Sequence, residues 1–159
     1  MMSSREEQGS ETMNVLLVEP ERHPRPVEMG TKLEDLQAAV GGFIEVVYPF
    51  EDDIGLVMNE EGKLEGLPLN RALRDDDGDI YDVIAGSFLV VGLTEESFGS
   101  LSPEQMAVYE EKFHSPEIFI RLGRGIMAIP MEEIASDSSR GDSVSHGLKL
   151  PKPERDDSR

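Results

Sequence analysis

Tyr81-Asp82-Val83-Ile84-Ala85-Gly86-Ser87-Phe88-Leu89-Val90-Val91-Gly92 is the most strand-like run in the chain. Its β-branched and aromatic residues predict a central strand, with Gly86 at a bulge or a close backbone approach. Upstream, Phe43 to Tyr48 and Ile54 to Met58 have the same character, and Asn59-Glu60-Glu61-Gly62-Lys63 after them reads as a turn with glycine available for positive φ. Between that turn and the central run, Leu67-Pro68-Leu69-Asn70-Arg71-Ala72-Leu73 reads as one helical turn or a structured loop. Asp75-Asp76-Asp77-Gly78-Asp79 is a polar turn.

Farther out, Asn14 to Val18 is a short apolar strand stopped by Glu19-Pro20, and Pro24 and Pro26 restrict Val27-Glu28-Met29 to an edge strand. Thr31-Lys32-Leu33-Glu34 has the form of a capping box, and Leu33, Leu36, Gln37 and Val40 follow at helical spacing until Gly41-Gly42. Ser102-Pro103-Glu104-Gln105 supplies an N-cap, a proline at the first helical position and glutamine at the third, predicting a helix over 103–113. Ile118 to Leu122 and Gly125 to Ile129 predict a hairpin around Gly123-Arg124, ended by Pro130. The expected fold is therefore α+β: a single domain over 13–131, with a mixed or mainly antiparallel sheet of about five strands and two short helices. Residues 1–12 and 132–159 are polar, rich in Ser, Glu, Asp and Pro, and are expected to be flexible.

The 159 residues carry 33 acids and 15 bases, a net charge of −18. Met13 to Met131 holds 23 acids and 9 bases, so −14 of this charge belongs to the expected domain. Such a surface repels phosphate backbones and anionic leaflets, which excludes direct duplex DNA binding and argues against membrane association. It suits a basic protein partner, while solubility alone is the simpler account of acidity. Cysteine is absent, which removes disulfides and thiolate metal sites, and neither a secretory signal nor an apolar run of membrane-spanning length is visible. A cytoplasmic location is expected.

The residues that carry chemistry are few. Asp75, Asp77 and Asp79 alternate around Gly78, but Gly78 at position six of an EF-hand loop would put Leu73 at position one and Ile84 at position twelve, where carboxylates belong. No metal and no cofactor are expected. His23, His114 and His146 lie far apart and form no zinc signature, and no nucleophile elbow, P-loop or dinucleotide fingerprint is present. No catalytic residues are expected, and the protein reads as a non-enzyme. Asn59, Asn70 and Arg71 stand among apolar segments; two amides and a planar guanidinium fork suit a carboxylate, phosphate or peptide group. Structural duty is the competing account: Asn59 setting the turn, Asn70 capping its segment, Arg71 pairing with a neighbouring acid.

The ordered succession Leu36-Gln37, Val40-Gly41-Gly42-Phe43-Ile44-Glu45-Val46, Asn59-Glu60-Glu61-Gly62-Lys63, Leu67-Pro68-Leu69-Asn70-Arg71 and Asp79-Ile80-Tyr81-Asp82-Val83-Ile84-Ala85-Gly86 resembles the family known as domain of unknown function 3846. The resemblance implies a small protein carried by phages, plasmids or integrated elements, and it brings no catalytic residues. Two functions are expected to compete. One is an accessory, anti-defence module in the host cytoplasm that mimics nucleic acid and engages a basic protein through Glu51, Asp52, Asp53, Asp75, Asp76, Asp77 and Asp79. The other is a small-ligand or cyclic-nucleotide sponge built on Asn59, Asn70 and Arg71. Self-association is compatible with either.

Overall fold

The computed structural model describes residues 11–131. The expectations for 1–12 and 132–159 lie outside these residues, apart from Glu11 and Thr12. The elements are β1 (Thr12–Val18), β2 (Arg25–Gly30), α1 (Leu33–Val40), β3 (Ile44–Val47), β4 (Ile54–Asn59), β5 (Leu69–Arg74), β6 (Ile80–Ala85), β7 (Phe88–Leu93), β8 (Phe98–Gly99), α2 (Pro103–Lys112), β9 (Glu117–Leu122) and β10 (Gly125–Pro130).

The main sheet has six strands in the order β2-β1-β7-β4-β3, with β8 paired to β7, and every pairing is antiparallel. Two hairpins, β5–β6 and β9–β10, form separate two-stranded sheets. This α+β architecture agrees with the expected class, and β2 takes an edge as its prolines require.

Strand alternation sends the apolar residues of the main sheet to two cores. Leu16, Val18, Ile54, Leu56, Met58, Phe88 and Val90 face one side, where Leu73 of β5, Ile84 of β6, and Tyr109 and Phe113 from α2 and its end close over them. Met13, Val15, Val57, Leu89 and Val91 face the other, covered by Leu36 and Val40 of α1. Because both faces of β4 and β7 are covered, these strands read as continuous apolar runs rather than alternating ones.

Three local expectations are corrected. The run Tyr81 to Gly92 is not one strand but two, β6 and β7, which belong to different sheets. The break is Gly86, at φ 85°, where a Cβ would sit 2.8 Å from Leu67 Cδ1. Positive φ is cheap only for glycine, so the chain turns here and carries β6 off the main sheet. The segment Leu67 to Leu73 is neither helix nor loop, because Leu69–Arg74 is strand β5. The capping box of α1 is shifted by one residue: Lys32, not Thr31, is the N-cap, and its N–H donates to Asp35 Oδ2 at 3.1 Å. The helix still ends at Gly41, in the left-handed conformation, as its sequence requires. At α2 the reading holds, with Gln105 N–H donating to Ser102 Oγ at 3.0 Å. Among the described residues, no helix is long and apolar enough to cross a membrane.

Candidate functional site

Asn70 and Arg71 are 0% and 2% exposed. Consecutive residues of a regular strand point to opposite faces, but the β5–β6 register shifts between Leu69 and Arg71, and this bulge lets both side chains turn inward. Asn70 Nδ2 donates to the carbonyls of Val18 (3.0 Å) and Gly86 (2.8 Å), while its Oδ1 accepts from Arg71 Nη1 at 2.8 Å. Arg71 Nε donates to the Phe113 carbonyl (3.0 Å) and Nη2 to the Arg22 carbonyl (2.7 Å). Phe113 is the C-cap of α2, where unsatisfied carbonyls carry partial negative charge, so the guanidinium both bonds and neutralises the helix end.

Together the two residues brace β1, the β1–β2 loop, the Gly86 break and α2. In these bonds the Asn70 amide and the Arg71 guanidinium are directed at the protein's own backbone and at each other, which is the structural duty that competes with a ligand fork. Asn59 is also turned to local work. It is 6% exposed; its Nδ2 donates to the Val40 carbonyl at 3.2 Å and its Oδ1 accepts from Glu61 N–H at 2.7 Å. This fixes the turn that follows β4 to the end of α1, the structural role the sequence allowed, whereas Asn70 caps no segment.

The motifs that carry the family resemblance meet at this joint. A Cβ on Gly62 would lie 2.7 Å from the Ala85 carbonyl oxygen, and Gly86 N–H donates to the Pro68 carbonyl at 2.7 Å. Beside them is a cleft of about 190 Å³ lined by Asn59, Lys63, Leu64 and residues of β6, with Lys63 paired to Asp82. Small-molecule sites usually enclose roughly 300–1,000 Å³. The cleft is therefore too small for a nucleotide.

The seven acids expected to form one partner-binding set fall into two different surroundings. Glu51, Asp52 and Asp53 lie in the β3–β4 loop, all exposed. The Asp53 carbonyl accepts from Leu93 N–H at 3.0 Å, which ties the loop to the turn holding exposed Glu95 and Glu96. Asp52 accepts from Tyr109 Oη at 2.8 Å and from Gln105 Nε2 at 3.1 Å, which ties it to α2, whose first turn carries the exposed Glu104. These bonds hold the β3–β4 loop beside the turn after β7 and beside α2, and each of the three segments carries exposed acids. Lys112 Nζ lies over the ring of Phe50, the residue before Glu51, 4.8 Å from its centroid. Asp75, Asp76, Asp77 and Asp79 occupy the β5–β6 turn instead, where Asp75 Oδ1 accepts from the N–H groups of Asp77 and Asp79, both at 2.9 Å. Oxygens of Asp75, Asp77 and Asp79 lie within 4.8 Å of one another, all exposed. A turn bonding its own amides explains that spacing.

The Tyr109 hydroxyl, then Gln105, holds the Asp52 carboxyl below its ordinary value of 3.8. Burial, and then the bond to Asp52, pushes the Tyr109 phenol up. A depressed carboxylate stabilises the fold above its unfolded value and loses that contribution as pH falls through the lower folded value. The difference in thermal midpoint between wild type and Asp52→Asn is therefore expected to hold steady above about pH 5 and to shrink steadily below about pH 4. Calorimetry across this range checks it; a difference that grows on acidification contradicts it.

One convergence was hidden from the sequence. His23 and His114, far apart in the chain, stack with ring centroids 4.5 Å apart and planes 25° apart, and His23 Nδ1 lies 2.9 Å from the His114 carbonyl oxygen. Near-parallel rings send their in-plane lone pairs side by side rather than to one point, which suits packing and not chelation. His146 lies outside the described residues.

No curated protein and no solved structure matches the chain. A family model does match, over residues 13–114, which spans β1 through α2 and includes the Asn70–Arg71 brace and the three acid-bearing segments, and leaves β9 and β10 beyond it. On that match the chain belongs to the family described as Domain of unknown function (DUF3846).

Proposed function

We propose that this protein is a non-enzymatic accessory module that binds a basic protein through the rim formed by Glu51, Asp52, Asp53, Glu95, Glu96 and Glu104. The observation that carries this reading is that bonds from Leu93, Gln105 and Tyr109 hold together three segments that bear exposed acids, the β3–β4 loop, the turn after β7 and α2. Asp52, held by Tyr109 and Gln105, needs little reorganisation to meet a Lys or Arg side chain, and a net charge of −14 over Met13 to Met131 steers a basic partner towards this surface. In the setting of a mobile element within a host cytoplasm, the partner is a nucleic-acid-binding or defence protein whose basic groove takes the carboxylates in place of phosphates. The alternative, a small-ligand or cyclic-nucleotide sponge, has no such support, since Asn70 and Arg71 are occupied in the brace.

The test is kinetic. A partner recovered from host lysate at low salt is expected to associate at least about tenfold more slowly when salt rises from about 50 to 300 mM. Glu51→Gln/Asp53→Asn/Glu95→Gln/Glu96→Gln is expected to slow association at low salt and flatten this dependence. Association that ignores both salt and the four substitutions refutes the proposal.

A further inference from the structure

We propose that the open edge of β3 takes up residues 146–152 of this same chain as an additional antiparallel strand, a strap that extends the main sheet. Of that sheet's two edges, β2 carries Pro26, whereas β3 carries no proline and pairs only with β4 among the described residues. The ladder decides which groups are open. Glu60 N–H donates to the Phe43 carbonyl at 2.8 Å, and the register pairs Glu45 with Met58 and Val47 with Leu56, so Phe43, Glu45 and Val47 turn their backbone groups to β4. Ile44 and Val46 therefore turn theirs outward, two donors and two acceptors along the edge. Their side chains are half-buried on the α1 face, while Glu45 is exposed on the opposite face.

The sequence past Met131 selects the occupant. It holds His146-Gly147-Leu148-Lys149-Leu150-Pro151-Lys152, a stretch with two lysines and no acid in a protein of net charge −18. Leu148-Lys149-Leu150 alternates as Ile44-Glu45-Val46 does, with a base in place of the acid. Set antiparallel with Lys149 opposite Glu45, Leu148 falls opposite Val46 and Leu150 opposite Ile44, so the leucines extend the apolar α1 face and the lysine meets the carboxylate on the other. The same register gives Leu148 and Leu150 the backbone bonds to Val46 and Ile44. It also places Pro151 opposite Phe43, where the N–H of an added strand would point away from β3 and its absence removes no bond. Phe43, 70% exposed, gains the proline ring as a neighbour on its own face. A slip of one residue would put Lys149 on the α1 face and Pro151 where a donor is needed. Leu148 lies 17 residues beyond Met131, a reach of up to about 55 Å, against a radius of gyration of about 14 Å for a domain of this size. Tethering raises the local concentration of the segment to about millimolar, which favours the chain's own strand over that of a second copy. The strap uses none of the rim acids, so it stands apart from the proposed partner binding.

Amide hydrogen exchange of the full 159-residue chain, followed residue by residue by NMR, tests the strap. The Ile44 and Val46 N–H groups are expected to exchange at least about tenfold more slowly in the wild type than in Leu148→Pro/Leu150→Pro, which deletes both donors of the strap and changes no residue of the described domain. The Glu45 and Val47 amides, bonded to β4, are expected to exchange alike in both proteins and so report that the sheet is intact. Lys149→Glu is expected to lose most of the protection, and Lys149→Glu/Glu45→Lys to regain it. The protection is expected to be equal at about 20 and 500 μM, since the strand belongs to the same chain. Ile44 and Val46 amides that exchange equally fast in the wild type and the proline variant, or protection that grows with concentration and so comes from a second copy, overturn the proposal.

Discussion

Arg71→Ala is expected to lower the unfolding free energy by about 3–5 kcal/mol, measured by urea denaturation at neutral pH. The side chain is 2% exposed and directs three nitrogens at the carbonyls of Phe113 and Arg22 and at Asn70 Oδ1. Truncation leaves these acceptors without their donor and opens a cavity. Each unsatisfied buried acceptor costs about 1–3 kcal/mol, and the lost packing adds to that. Arg71→Lys separates charge from shape. An ammonium keeps the favourable field at the end of α2 but cannot span three acceptors with fixed fork geometry, so it is expected to recover about half of the loss. A loss below about 1 kcal/mol for the alanine variant would remove the brace from the account.

The second large effect is expected at Gly86. Gly86→Val should cost about 2–4 kcal/mol, since a β-branched residue resists φ 85° and its Cβ would lie 2.8 Å from Leu67 Cδ1. The change also strains the two bonds that use this residue's backbone, N–H to the Pro68 carbonyl and carbonyl from Asn70 Nδ2. Gly41→Ala is the control: its φ is 82° but nothing lies within 4 Å of the added Cβ, so only the cost of left-handed backbone applies, about 1 kcal/mol. Equal losses at the two positions would mean that the crowding against Leu67 counts for nothing.

Much of the architecture was legible because local signals and burial agree. The Ser102 cap, the glycine stop at Gly41, the apolar β4 and the hairpin about Gly123 each carry their own explanation in a few neighbouring residues. What escaped was set at long range. Leu69–Arg74 looks unlike a buried strand because Asn70 and Arg71 interrupt it, and their acceptors come from Val18 and Phe113, which are 52 and 42 residues away. A polar residue in such a segment reads as a surface or a ligand site until those carbonyls are known. Gly86 was singled out, yet a bulge and a chain reversal share the same glycine signal, and only the pairing of β6 with β5 rather than with the main sheet separates them. The acids were legible as a charge and not as a rim, since Asp52 joins Gln105 and Tyr109 across more than fifty residues while Asp75 bonds its own turn.

The assignment of partner binding to the rim is tested most directly by one side-by-side capture from host lysate at low salt. It uses the wild type, the rim variant Glu51→Gln/Asp53→Asn/Glu95→Gln/Glu96→Gln and the turn variant Asp76→Asn/Asp77→Asn, with bound proteins quantified by mass spectrometry. A basic partner is expected to be held by the wild type and the turn variant and lost, by tenfold or more, from the rim variant. Equal retention by all three, or selective loss from the turn variant, would contradict it.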